Sequence, residues 1–170
     1  MKRSIFVPAI LAMSVGLAGG ATPAAPPPPP CAAAEFHQFD FWIGDWRVTN
    51  PGGKVTGTNH VTQEYGGCVI HEHYVTGLGY SGESLNMYDA ARKVWHQTWV
   101  DDNGLVLLLD GHRVGNDMVL EGLAPDVTGK IVKNRITFTL NADGSVRQLW
   151  ETADDTGAWK VAFDGKYTKK

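Results

Sequence analysis

The sequence predicts an all-β protein: an antiparallel, up-and-down barrel of about ten strands with a short helical plug at its N-terminal end. Three observations predict it. After Trp46 no stretch sustains a helical period, and short runs rich in Val, Ile, Thr, Tyr and Trp recur instead. Turn residues separate the runs, as in Pro51-Gly52-Gly53, Gly66-Gly67, Asp101-Asp102-Asn103-Gly104 and Asn141-Ala142-Asp143-Gly144. Ahead of the strands, Phe36, Phe39, Trp42 and Ile43 are spaced by three and four, as on one face of a helical turn. A ten-strand meander that closes on itself loses both exposed edges, which favours a barrel over the alternative β-sandwich.

The chain opens with Lys2 and Arg3, an apolar run from Ile5 to Leu17, and the small residues Gly19, Gly20 and Ala21. This is the form of a signal peptide over residues 1–21, too short to span a membrane. Cleavage is expected after Ala21, with Ala24 or Ala25 as the next choice. Cys31 lies beyond a proline tract rather than just after the apolar run, so no lipid anchor is expected. Pro26 to Pro30 form a stiff spacer within a Pro/Ala-rich linker, 22–35. The barrel domain then occupies 36–170. An exported chain of this kind belongs in the periplasm or outside the cell.

Lys and Arg number 15 against 18 Asp and Glu, a net charge of −3. Beyond the N-terminal segment the basic residues cluster only at Lys169-Lys170, so neither nucleic acid nor an anionic membrane is an expected partner. The two cysteines, Cys31 and Cys68, are too far apart in sequence for a metal-ligand pair. In an oxidising compartment a disulfide between them is expected, two separate thiols being the alternative.

The strand runs fall at about 45–50, 54–64, 68–76, 82–88, 93–100, 105–111, 116–122, 131–140, 145–152 and 159–168. Gly44 lets the backbone turn sharply from the plug into the first of them, which begins with Trp46. Turn geometry then sets which side chains share a face. A two-residue Gly66-Gly67 loop pairs Tyr65 with Cys68. Asn59, Val61, Gln63 and Tyr65 then share a face with Ile70, Glu72 and Tyr74, and this more apolar set is placed inside. Reading 141–144 as a bulged turn pairs Leu140 with Ser145, which turns Arg147, Leu149 and Glu151 inward. The same reading of 101–104 sets Trp99 across from Val106 and Gln97 across from Leu108, with Trp95, Gln97 and Trp99 inside.

Gly44-Asp45-Trp46 after a helical plug resembles the Gly-x-Trp signature of lipocalins and the wider calycin superfamily. In that superfamily the Trp closes the barrel floor and an Arg from a late strand lies over it. The resemblance therefore implies structural roles for Trp42, Gly44 and Trp46, with Arg147 as the matching Arg. A closer resemblance spans nearly the whole chain after the linker. It is carried by Phe39-Asp40-Phe41-Trp42-Ile43-Gly44-Asp45-Trp46, Gly66-Gly67-Cys68, Ser84-Leu85-Asn86-x-Tyr88-Asp89, Trp95-His96-Gln97-x-Trp99-Val100-Asp101, Arg147-Gln148-x-Trp150-Glu151 and Phe163-Asp164-Gly165-x-Tyr167. These motifs resemble the secreted bacterial family catalogued as domain of unknown function 1579. That resemblance implies a calycin-type barrel and no particular activity. Nitrobindin-like haem barrels are more distant in shape, and their haem-ligand motif has no match here; no cofactor is expected.

A small barrel that needed only a core would fill it with Leu, Ile and Val. Here the residues read as inward include Asn59, Glu72, Asn86, Gln97, Arg147 and Glu151. The set is either a structural network or, with Tyr74, Tyr88, Trp95 and Trp99 as flat walls, the lining of a ligand-sized cavity. The expected function is binding of a small hydrophobic or aromatic molecule. Taken singly, each aromatic fits ordinary barrel packing better than a ligand wall. Two alternatives remain. No nucleophile motif or phosphate loop is present, so an enzyme would be a cofactor-free lyase or isomerase, with Glu72 as acid/base and Arg147 and Tyr88 holding a carboxylate substrate. An accessory protein with a solid barrel would instead meet a protein partner through Leu105–Leu109, a run apolar on both faces. His60 and His73 face each other with His71 alongside, which could suit zinc or copper. The register puts that face outside, where solvated histidines are ordinary, so no metal is expected. His96 and His112 are expected to be exposed without partners.

Overall fold

Ten antiparallel strands close into a barrel in which each strand pairs with its sequence neighbours and the last pairs with the first. The computed structural model describes residues 25–126, 128–153 and 156–170. The candidate signal peptide, 1–21, lies outside the described residues. The strands are β1 (Gly44–Thr49), β2 (Val55–Glu64), β3 (Val69–Thr76), β4 (Ser81–Asp89), β5 (Val94–Asp101), β6 (Val106–Val114), β7 (Asp117–Pro125), β8 (Ile131–Leu140), β9 (Val146–Ala153) and β10 (Trp159–Lys169). All ten correspond to expected runs. Closure comes from Trp46 to Thr49 of β1 pairing with Lys169 to Lys166 of β10. Among the described residues no helix is long and apolar enough to cross a membrane.

Two short 3-10 turns, Ala34–His37 and Asp40–Trp42, form the plug. Gly44 leaves it with φ +148°, a backbone conformation that side chains disfavour. The plug buries Phe39 and Trp42 completely. Their rings stack at 5.1 Å, and both meet Phe138 of β8, at 5.0 and 4.5 Å. Trp46 donates its indole N–H to the Trp42 carbonyl at 2.9 Å. Cys31 and Cys68 are joined by a disulfide, which ties the segment ahead of the plug to the β2–β3 turn. The bond fits an oxidising, extracellular-type compartment. With one end stopped by aromatics, the other end carries the β1–β2, β3–β4, β5–β6, β7–β8 and β9–β10 loops.

The β2–β3 register is as expected: Val61 pairs with Glu72, Asn59 with Tyr74 and His60 with His73. The turns at 101–104 and 141–144 each differ by one residue. Asn141 is still a pairing residue, donating its N–H to the Ser145 carbonyl at 2.9 Å, so the loop proper has three residues. Leu140 therefore pairs with Val146 and Phe138 with Gln148. A one-residue slip exchanges the faces of a strand. Gln148 and Trp150 point inward, and Arg147, Leu149 and Glu151 point outward. Asp101 pairs with Leu105 in the same way, which sets Trp99 across from Leu107 and Gln97 across from Leu109. The inward placement of Trp95, Gln97 and Trp99 holds, because alternation along β5 does not depend on that turn.

The expected roles of Arg147 and Glu151 are corrected accordingly. Arg147 is exposed and bonds Asp164 at 2.7 Å on the outer wall, nowhere over Trp46. The cation over the Trp46 ring is Lys169, 5.2 Å from its centroid. Glu151 pairs with Arg135 at 2.9 Å across β8 and β9. The Arg that secures the plug is Arg113 of β6, 4.4 Å from the Phe41 ring and donating to the Gln38 carbonyl at 2.9 Å.

Candidate functional site

The barrel interior divides along its axis. Toward the plug it is packed solid with Phe39, Trp42, Trp46, Trp95, Met118 and Phe138. Toward the open end it holds a cavity of about 130 Å³, lined by Glu72, Tyr74, Tyr80, Gln97, Trp99, Leu107, Ile136, Gln148, Trp150, Ala162, Phe163 and Tyr167. A cavity of about 150 Å³ suffices for a benzene ring. A wider recess of about 690 Å³ adjoins it at the mouth, lined by Leu105, Val106, Pro125, Asp126, Val132 and others, and shares Trp150 and Ala162 with it.

Strand glycines seat the aromatic walls. A Cβ on Gly82 would lie 2.3 Å from the Trp99 ring, one on Gly165 2.7 Å from Phe163, and one on Gly57 2.9 Å from Tyr74. Close approach of a ring to bare backbone is a recurrent use of Gly within strands. In β10 a bulge between Val161 and Phe163 brings Ala162 to the lining and sets Phe163 across from Trp150. Tyr80 closes the rim. Its ring meets Tyr74 at 6.4 Å, and its hydroxyl donates to Asp101 at 2.8 Å. Burial and then Asp101 push the Tyr80 phenol pKa up, so it stays a donor.

Glu72 is fully buried, and it is the one charged side chain among the described residues lining the cavity. One carboxylate oxygen accepts from Asn59 Nδ2 at 2.8 Å and the other from Ser84 Oγ at 2.6 Å. Behind them Asn86 donates to Ser84 at 2.9 Å and to the Ile70 carbonyl at 3.1 Å, and Gln97 donates to Asn86 at 2.8 Å. This relay turns N–H and O–H groups toward the carboxylate. Burial outweighs those bonds and pushes the Glu72 pKa up from 4.5 to about 7. Tyr167 donates its hydroxyl to Gln148. Burial, then the Glu72 charge, raise its pKa.

Of the residues expected to line a ligand site, Glu72, Tyr74, Gln97 and Trp99 do so. Asn59 and Asn86 are buried one layer behind, holding Glu72. Tyr88 and Trp95 lie at the plugged end instead. Tyr88 packs on Phe36, and Trp95 meets Phe39 and donates to Gln38 at 3.2 Å. They bury plug aromatics because β4 and β5 reach the plug at those positions. Glu151 lies outside the wall, as described. The expected catalytic set of Glu72, Arg147 and Tyr88 therefore does not assemble: one lines the cavity, one is outside the barrel and one packs on the plug. Sequence reasoning missed Tyr80, Leu107, Ile136, Gln148, Trp150, Phe163 and Tyr167. Gln148, Trp150, Phe163 and Tyr167 were all within quoted motifs, and a correct β8–β9 register would have turned Gln148 and Trp150 inward.

The three histidines sit on the outer face. His60 pairs with Asp45 at 2.6 Å, while His71 and His73 approach Glu83 at 3.1 and 4.0 Å. No group of three or more His, Cys, Asp or Glu is arranged to hold a metal among the described residues. His96 is half-buried and bonded to Asp110 at 2.8 Å and Thr98 at 2.9 Å, rather than exposed without partners. In the Leu105–Leu109 run the alternation is clean: Leu107 and Leu109 are buried, Val106 and Leu108 exposed. No protein-family model matches the chain, and no curated protein is similar enough to it to be matched.

Proposed function

We propose that this protein is an exported, calycin-like barrel that binds a small molecule bearing an aromatic or other flat apolar group in the cavity at its open end. The motif resemblance to the secreted family of unknown function 1579 supports the calycin reading, and the disulfide supports export. One observation carries the binding reading: an aromatic-walled cavity with a buried, hydrogen-bonded carboxylate in its lining. A chain that needed only a stable barrel would fill that space, as this one does in its plugged half. An acid–base enzyme is the weaker reading, because Glu72 lacks the substrate-holding partners that such a reaction requires.

The test uses N-phenyl-1-naphthylamine, a neutral fluorescent probe, on the processed protein. Saturable binding with quenching of tryptophan emission is expected, because Trp99 and Trp150 line the cavity. Ile136→Trp fills the same space and should abolish binding while circular dichroism reports an intact barrel. Equal probe binding by that variant would sink the cavity reading. In that case the outward Leu85, Val100, Val106 and Leu108, all exposed on the adjacent strands β4, β5 and β6, become the place to look for a partner face.

A further inference from the structure

We infer that the cavity recognises an organic cation, a primary alkylammonium head carried on a flat apolar group, with Glu72 as its counter-ion. This rests on the cavity reading and adds the charge and donor character of the ligand. Three features converge on it.

The first is charge. Glu72 is the one charged side chain among the described residues lining the cavity, and the side chains bonded to it are the neutral Asn59 and Ser84. The remaining titratable groups that face it among the described residues are the phenols Tyr74 and Tyr167. A fully buried carboxylate without a cation is an unfavourable arrangement that a bound cation repairs. The wider recess at the mouth is lined by one further carboxylate, Asp126, whose charge Lys130 partly offsets, and by no basic side chain among its described lining residues.

The second is hydrogen-bond polarity. The donors at the cavity floor are committed: Asn59 Nδ2 and Ser84 Oγ to Glu72, and Gln97 Nε2 to Asn86. What is left over beside Glu72 accepts, and the Gln148 amide, whose oxygen takes the Tyr167 hydroxyl, faces the cavity from the β9 wall. Each Glu72 oxygen has a further lone pair, and the Gln97 amide oxygen is buried with no hydrogen-bond partner. A floor of acceptors suits a head that only donates. An ammonium has three N–H groups and no lone pair, whereas a carboxylate or phosphate head meets repulsion and a hydroxyl supplies a single donor.

The third is the wall. Tyr74, Tyr80, Trp99, Trp150, Phe163 and Tyr167 surround the space. Aromatic faces attract cations, and cages of such rings are a recurrent ammonium site. The inner cavity takes the ammonium end, and the recess beyond Trp150 leaves room for the flat apolar group.

The probes are three compounds of one shape: 2-phenylethylamine, 2-phenylethanol and 3-phenylpropionate. Calorimetry on the processed wild-type protein should rank the amine at least tenfold tighter than the alcohol at pH 8, with the propionate weakest. Because the amine needs the ionised carboxylate, its affinity should fall roughly 100-fold from pH 8 to pH 5, while the alcohol stays flat or improves. At pH 6 amine binding should release about one proton, read from its dependence on buffer ionisation enthalpy. Glu72→Gln should remove the preference for the amine and the pH dependence together. These wild-type measurements stand even if the variant folds poorly. Alcohol or propionate binding as tightly as the amine overturns the cation assignment and leaves the cavity reading intact. So does failure of all three to bind while N-phenyl-1-naphthylamine still does. Failure of every probe, the naphthylamine included, overturns both.

Discussion

Replacing Glu72 with Gln should make the protein more stable at neutral pH and nearly unchanged in acid. In the unfolded chain this carboxyl titrates at its ordinary value, 4.5, and in the barrel burial lifts it to about 7. Between those two values the folded state holds a proton that the unfolded chain has released. The stability this group contributes is therefore fully present below 4.5 and is lost as pH rises through 7. At about 1.4 kcal/mol per pH unit, the interval amounts to about 3 kcal/mol by pH 8. Gln keeps the volume and its carbonyl can accept from Ser84 or Asn59, so the variant lacks the loss without opening a hole. The assay is urea unfolding of both proteins from pH 4 to pH 8.5, plotted as the difference in unfolding free energy. The outer-wall carboxylates Asp110 and Asp164, held below their usual range by Arg92 and Arg147 respectively, titrate alike in both proteins and cancel. The difference should be small at pH 4 and favour the variant by about 3 kcal/mol at pH 8. Parallel curves, or a wild type that gains on the variant as pH rises, would refute the reasoning that Glu72 is buried without a compensating cation.

Further outcomes are expected for the disulfide, a strand glycine and two arginines. Denatured, unreduced protein should show no free thiol, and Cys68→Ser should lower stability by about 3–4 kcal/mol through the added chain entropy of the unfolded state, measured by urea unfolding. Gly82→Ala should cost about 1–3 kcal/mol and weaken binding of the naphthylamine probe, because the new methyl overlaps the Trp99 ring and pushes it into the cavity; unchanged near-ultraviolet dichroism of the tryptophans would contradict this. Arg147→Ala should change stability by about 1 kcal/mol or less, since it removes one exposed ion pair. Arg113→Ala should cost more, about 1–3 kcal/mol, because it strips both the Phe41 contact and the Gln38 hydrogen bond from the plug. The reverse order in thermal melts would restore Arg147 to the barrel floor.

The fold was legible because its signals are local. Alternation within a run, Gly and Asn at the breaks, and the three-and-four spacing of Phe36, Phe39, Trp42 and Ile43 each act over a few residues. The ten strands and the plug follow from them. The β2–β3 pairing was legible too, and with it the inward Asn59 and Glu72 and the outward histidines. What failed was the same one-residue choice at two turns, 101–104 and 141–144, and the second had the larger consequence. Whether Asn141 ends the strand or begins the loop depends on one backbone hydrogen bond to Ser145, and no residue type reports that bond. The error then spread along β9 with period two, sending Arg147 and Glu151 to the wrong face and hiding Gln148 and Trp150. Alternation could have arbitrated: Val146, Gln148 and Trp150 match the apolar face of Ile136, Phe138 and Leu140 no worse than the other three. The choice rests on the bulged-turn reading, and the resemblance then matches the inward Arg147 to the Arg near Trp46. That contact is made by Lys169 from β10 and, at the plug, by Arg113 from β6.

The distribution of stability along the barrel bears on why Glu72 is there at all. The plugged half holds large buried aromatics and is anchored by the disulfide. The open half contains the features that lower stability: a space the size of a benzene ring, glycines inside strands, and a buried carboxylate above its ordinary pKa. For stability alone a larger residue would fill the space and an apolar one would replace the carboxylate, while the glycines are kept by the rings packed against them. Their convergence on one volume, reached from one end of the barrel, is the pattern expected where a site rather than a core has shaped the choice of residues. The relay from Gln97 through Asn86 and Ser84 sharpens the point. It directs donors toward Glu72, which favours the charged form, yet burial keeps the pKa near neutrality. A carboxylate poised in this way gains most from a cation brought in from outside, and least from anything the barrel itself supplies.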